Sequence, residues 1–107
     1  MEDVRLGRKM NSAVKSVTIN AGSPTTIVGF NSKRVALHFS NGVTNQSFLG
    51  PISNPPTIGS GVNVTATAGF ITLRIEDWGP LIQSAWQAMS AAGTPTATVM
   101  ESFIDGE

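Results

Sequence analysis

The stretch Arg34-Val35-Ala36-Leu37-His38-Phe39-Ser40 decides the fold. Val35, Leu37 and Phe39 alternate with Arg34, Ala36, His38 and Ser40, and successive side chains of a strand point to opposite faces. The period of two therefore reads as a β-strand buried on one side, and Asn41-Gly42 stops it as a turn. The same signature recurs downstream. Val62-Asn63-Val64-Thr65-Ala66-Thr67 alternates, Ala68-Gly69 turns, and Phe70-Ile71-Thr72-Leu73-Arg74-Ile75-Glu76 aligns Ile71, Leu73 and Ile75. Upstream, Val17-Thr18-Ile19 ends at Asn20-Ala21-Gly22-Ser23-Pro24, and Thr25-Thr26-Ile27-Val28 follows before Gly29. These read as two strands, the second at a sheet edge. A short strand around Gln46 to Leu49 and a β-rich run from Thr96 to Ile104 complete the set. Short strands punctuated by turn residues predict an all-β fold, a β-sandwich or a barrel, as one domain over residues 13–107.

Composition narrows the class. The chain has 107 residues, seven basic and seven acidic side chains, no net charge and 13% charged positions, about half of the ~25% usual in globular domains. Residues 35–73 contain no charged side chain, and His38 is their only ionisable group. Disorder is disfavoured, because 40% of the chain is hydrophobic and its net charge is zero. Nucleic-acid binding is disfavoured too, since the basic residues neither dominate nor cluster with aromatics. The length suits one domain with a core large enough to need no staple, and no cysteine is present to provide one. The opening, MEDVRLGRKMNS, lacks the apolar stretch of a signal peptide, and no apolar run reaches membrane-spanning length. The expectation is a soluble protein made in the cytoplasm, with no membrane partner.

Three segments depart from the strand pattern. In residues 1–12, Arg5, Arg8 and Lys9 interleave with Val4, Leu6 and Met10 without a clear period, which reads as a frayed terminus or as an arm that orders against a partner. Residues 50–61 form a long loop holding Pro51, Pro55 and Pro56, which lack the N–H a ladder needs, and such a loop is a candidate contact surface. In residues 80–92, Leu81, Ile82, Ala85, Trp86 and Met89 recur at helical spacing behind Pro80, with Gly93 as a stop. The preferred alternative is a turn through Asp77-Trp78-Gly79-Pro80 and a strand over residues 84–89 forming a hairpin with the last strand.

Catalytic chemistry finds little support. A serine triad could use only His38, and no G-x-S-x-G elbow occurs. His38 reads as an ordinary surface or interface histidine. No metal-ligand spacing appears, and Gly59-Ser60-Gly61 lacks the third glycine of a dinucleotide fingerprint. Glu76 and Asp77 are neighbours, which as strand residues face opposite ways and so form no shared acid–base pair. The expectation is a non-enzymatic chain with no catalytic residue, cofactor or metal. Trp78 and Trp86 are read first as core or interface residues; a carbohydrate-binding module with one of them as stacking platform is the alternative.

Asn31-Ser-Lys-Arg-Val-Ala-Leu-His-Phe-Ser-Asn41, Phe48-Leu49-Gly50-Pro51, Leu73-Arg-Ile-Glu-Asp77, Leu81-Ile82 and Ser84-Ala-Trp86 together resemble small β-rich head proteins of tailed bacteriophages, including capsid decoration (cement) proteins. The resemblance spans residues 13–105. It implies a jelly-roll-like sandwich with an extended N-terminal arm over residues 1–12. It further implies a virion structural protein that binds the major capsid protein on the outside of the shell as a homodimer or homotrimer and reinforces the lattice. The protein would be synthesised in the host cytoplasm and reside on the virion surface. The contact candidates are Arg5, Leu6, Arg8 and Lys9 in the arm and Pro51, Pro55 and Pro56 in the loop. The uncharged residues 35–73 are where a protein partner is expected to sit.

Overall fold

The computed structural model describes residues 9–41, 46–57, 61–64 and 69–105. Among these, the strands are β1 (Lys9–Thr18), β2 (Thr25–Val28), β3 (Arg34–Ser40), β4 (Ser47–Pro51), β5 (Val62–Val64), β6 (Phe70–Arg74), β7 (Trp86–Ser90) and β8 (Thr96–Asp105). A helical turn, α1 (Ile75–Trp78), and a 3-10 helix (Gly79–Gln83) lie between β6 and β7. The strands form two four-stranded sheets, β1-β8-β3-β6 and β2-β7-β4-β5, and every pairing is antiparallel. The sheets pack together as an all-β sandwich.

The alternating residues build the core. Leu37 and Phe39 of β3, Leu73 of β6 and Val99 of β8 meet Leu49 of β4 and Trp86 of β7, all buried. Each such burial is worth about 1.5–3 kcal/mol relative to exposure. A bulge between Thr26 and Val28 turns Ile27 and Val28 inward together, which a strictly alternating strand could not do. The many small polar residues do not leave holes in hydrogen bonding. The buried Ser47 hydroxyl donates to Asn41 Oδ1, and the buried Ser90 hydroxyl donates to Ala92 O at 2.9 Å.

A second bulge overturns the expected orientation of Arg34. Arg34 pairs with Phe103 but Ala36 pairs with Ser102, so Val35 is the extra residue. The insertion moves Arg34 off the face it would share with Ala36, His38 and Ser40, and leaves it 1% exposed inside the sandwich.

Three further expectations are corrected. Residues 80–92 divide between the 3-10 helix and β7, so the strand exists, but it makes no hairpin with the last strand. β7 lies between β2 and β4, whereas both flanks of β8 are taken by β1 and β3. The connection, with Gly93 at φ +69°, instead carries the chain from one sheet to the other. Residues 9–12, expected in an N-terminal arm, pair instead with β8, and residues 1–8 lie outside the described residues. Glu76 and Asp77 sit in α1, exposed, rather than at a strand end. The turn at Gly42, the strand continuation over residues 65–67, Ala68 and the Gly59-Ser60 pair lie outside the described residues.

Candidate functional site

Hydrogen bonds gather several loops at one end of the sandwich. Lys9 stands opposite Asp105 in the β1–β8 register, and the adjacent Ile104 N–H donates to Lys33 O at 3.0 Å. The start of β1 therefore lies beside the β2–β3 connection. That connection is tied to the 3-10 helix by Asn31 N–H donating to Gln83 O at 2.9 Å and Gln83 Nε2 donating to Ser32 O at 2.8 Å. The loop after β4 joins them through Ile52 N–H donating to Ala85 O at 2.9 Å.

Arg34 fastens this end from within. Its Nε donates to Glu101 Oε1 at 2.9 Å, its Nη1 to the carbonyls of Ile82 and Ser84, each at 2.9 Å, and its Nη2 to Gly29 O. One guanidinium thus links the β2–β3 connection, the 3-10 helix and β8. A buried cation is tolerated only when paired and hydrogen-bonded, and this one is both. Around that rigid base three large apolar side chains remain exposed: Phe30 at 73%, Ile52 at 52% and Leu81 at 41%.

The second surface is the outward face of the β1-β8-β3-β6 sheet. The register aligns Val14, Met100, His38 and Thr72 in one row across the four strands. The neighbouring rows are Ser12, Ser102, Ala36 and Arg74, and Ser16, Thr98, Ser40 and Phe70. Arg74, at one corner, is the single charge in these rows. Phe70 is 75% exposed and borders a groove of about 400 Å³ with Val14, His38 and Met100. His38 lines it, with Nδ1 3.0 Å from Thr72 Oγ1 and Nε2 3.2 Å from Ser102 Oγ. Both ring nitrogens are engaged by hydroxyls, so its described partners orient the ring and include no carboxylate of the kind a triad requires.

The residues singled out from sequence fare unequally. Arg5, Leu6 and Arg8 lie outside the described residues, while Lys9 opens β1 at the end just described. Pro55 is exposed, but Pro51 closes β4 in a buried position and Pro56 is buried, so neither of those two offers a free contact surface. Trp86 is fully enclosed and donates its indole N–H to Leu81 O at 3.0 Å. Trp78 is half-buried and packs edge-on against it, with ring centroids 5.4 Å apart. The enclosed Trp86 ring cannot stack on a sugar. Phe30, Ile52, Leu81 and Phe70 were missed. Phe30 had a readable signal, a large apolar ring following Gly29 in a turn between two strands.

Among the described residues no three His, Asp or Glu side chains stand together as a metal site would require, and no helix is long and apolar enough to cross a membrane. Compared with protein families, with curated proteins and with solved structures, the chain finds no match. The class that the fold itself defines is an all-β sandwich, and among the described residues it presents one apolar end and one sheet face with few charges.

Proposed function

We propose that this chain is a virion structural protein that binds the major capsid protein on the outside of a bacteriophage shell and reinforces it as a homo-oligomer. The observation that carries this reading is the apolar end of the sandwich. There Phe30, Ile52 and Leu81 are exposed on the β2–β3 connection, the loop after β4 and the 3-10 helix, which hydrogen bonds bring together beside the start of β1. Large apolar side chains exposed together on a hydrogen-bonded base suit a protein contact.

The strand order β1-β8-β3-β6 facing β2-β7-β4-β5 supports reading the sandwich as a jelly roll, eight strands in two Greek keys, as in many capsid and lectin domains. Fold alone assigns no function, so the weight rests on the contact end. Each copy would contribute a modest apolar contact, and occupancy of the shell would grow through many copies engaged at once.

The test is co-sedimentation of the purified protein with preassembled heads of the phage that encodes it. Binding at a defined copy number is expected, and the double variant F30S/L81S should lose it while melting as the parent does. Failure of the parent to sediment with the heads, or retention of full binding by the variant, overturns the reading.

A further inference from the structure

Among the described residues, β1 is an edge strand of ten residues, whereas the other sheet edges, β2, β5 and β6, have four, three and five. Ile19 N–H donates to Pro95 O at 3.0 Å, continuing the register that pairs Lys9 with Asp105 and Thr18 with Thr96. Odd-numbered residues of β1 therefore exchange hydrogen bonds with β8. By the alternation of an antiparallel ladder, the N–H and C=O groups of Ser12, Val14 and Ser16 point away from the sheet. Residues 11–16 are exposed on both faces, and neither a proline nor a bulge interrupts the strand. Edges of this kind are usually blunted. Here the Ser12 N–H is met only by the neighbouring Asn11 Oδ1, at 2.9 Å.

We propose that β1 pairs antiparallel with β1 of a second copy about a two-fold axis at Val14, joining two four-stranded sheets into one of eight strands. Charge selects both the partner and the register. Centred on Val14, Lys15 of the second copy stands opposite Ala13, and Ala13 stands opposite Glu101 in the β1–β8 register. Lys15, Ala13 and Glu101 then form one row on the inward face, with the small alanine leaving the ammonium a path to the carboxylate. The space exists: Ala13, Lys15, Val28, Val99 and Glu101 border an open crevice of about 240 Å³. The Glu101 side chain is 22% exposed, and its described bonds, from Arg34 and Asn31, both go to Oε1.

Neighbouring registers lose this match. Centring the axis on Lys15 sets the two lysines against each other, a destabilising like-charge pair. Centring it on Ala13 places Lys15 opposite Asn11, whose β8 partner is Phe103. In the Val14 register the Ser12 N–H exchanges Asn11 for the Ser16 carbonyl of the second copy, and Val14, 61% exposed, packs against its symmetry mate.

This dimer gives the self-association in the proposed function a specific surface, and it requires no capsid. Sedimentation velocity on the full chain should show a dimer. Val14→Pro removes only an outward N–H and should yield a monomer with unchanged β-sheet circular dichroism. The chain contains no cysteine, so Val14→Cys should oxidise to a covalent dimer, since directly opposed Cα atoms about 5.5 Å apart lie within disulfide reach. Ser12→Cys and Ser16→Cys should each stay uncrosslinked alone and link when mixed. A parent that is monomeric at its highest soluble concentration overturns the proposal. So does an oligomer that V14C fails to lock, whether or not V14P folds. Either result leaves capsid binding by the co-sedimentation assay standing, and loss of capsid binding with an intact V14C crosslink sinks that reading alone.

Discussion

On the outward side of β4, the chain lies directly on Gly50: a Cβ added there would stand 2.5 Å from Asn54 O and 3.2 Å from Pro56 N. On the outward side of β3, the row through Val14, Met100, His38 and Thr72 borders an open groove, and Phe70 beside it is 75% exposed. Gly50 with its cover, and His38, Phe70 and Thr72 at the groove, come from the same uncharged stretch, residues 35–73. In β4 the lack of charge goes with burial, since all five of its residues are buried and Phe48 faces Met89, also buried, on the outward side. In β3 and β6 it leaves an open surface on which Arg74 is the one charge in the described rows. One compositional signal thus has two physical causes. A partner surface is indicated only where the chain does not cover itself.

Five substitutions test that contrast, beginning with the interior that both faces share. Trp86→Ala should lower stability by about 3–5 kcal/mol in chemical denaturation, the cost of an enclosed aromatic ring and its cavity; a loss under about 1 kcal/mol would mean that the sheets do not close on Trp86. Arg34→Met should cost about 2–4 kcal/mol, because it strands Glu101 and the carbonyls of Gly29, Ile82 and Ser84. The conservative Glu101→Gln should cost less, since an acceptor for Arg34 remains. Gly50→Ala should cost about 1–3 kcal/mol, because the nearest atoms are backbone and must shift. A neutral G50A would erase the difference between the two outer faces. Phe70→Ser should change stability by no more than about 0.5 kcal/mol, as expected of a solvent-facing site. A larger loss would show that the open face is covered after all.

Much of the sandwich is legible in the sequence where burial is one-sided. β3 and β6 show an alternation that needs only neighbouring residues to be read, and β8 a β-rich run. For β1 the sequence marks only Val17 to Ile19 as a strand, and residues 9–12 read as part of an arm. Asn11 to Ser16 carries no apolar period, because both faces of that half of the strand are exposed. Its strand conformation comes from the ladder with β8, which no local pattern announces. The candidate site was less legible still. Pro55 and Pro56 lie outside the ladder, whereas Pro51 is the last residue of β4 and stands opposite Trp86, and Pro56 is buried and covers Gly50. Phe30, Ile52 and Leu81 come from three separate segments, and hydrogen bonds over 33 and more residues of chain bring their loops to one end.

Period-two runs between turn residues already point to an all-β fold, a sandwich or a barrel, because alternation is a property of the strand backbone alone. Long-range contacts set the rest: that two sheets pack as a sandwich, which strands pair, that β7 and β8 belong to opposite sheets, that a bulge turns Arg34 inward, and which outer face stays open. Those outcomes depend on contacts between residues far apart in the chain, where one extra residue in a strand reverses the side a side chain occupies.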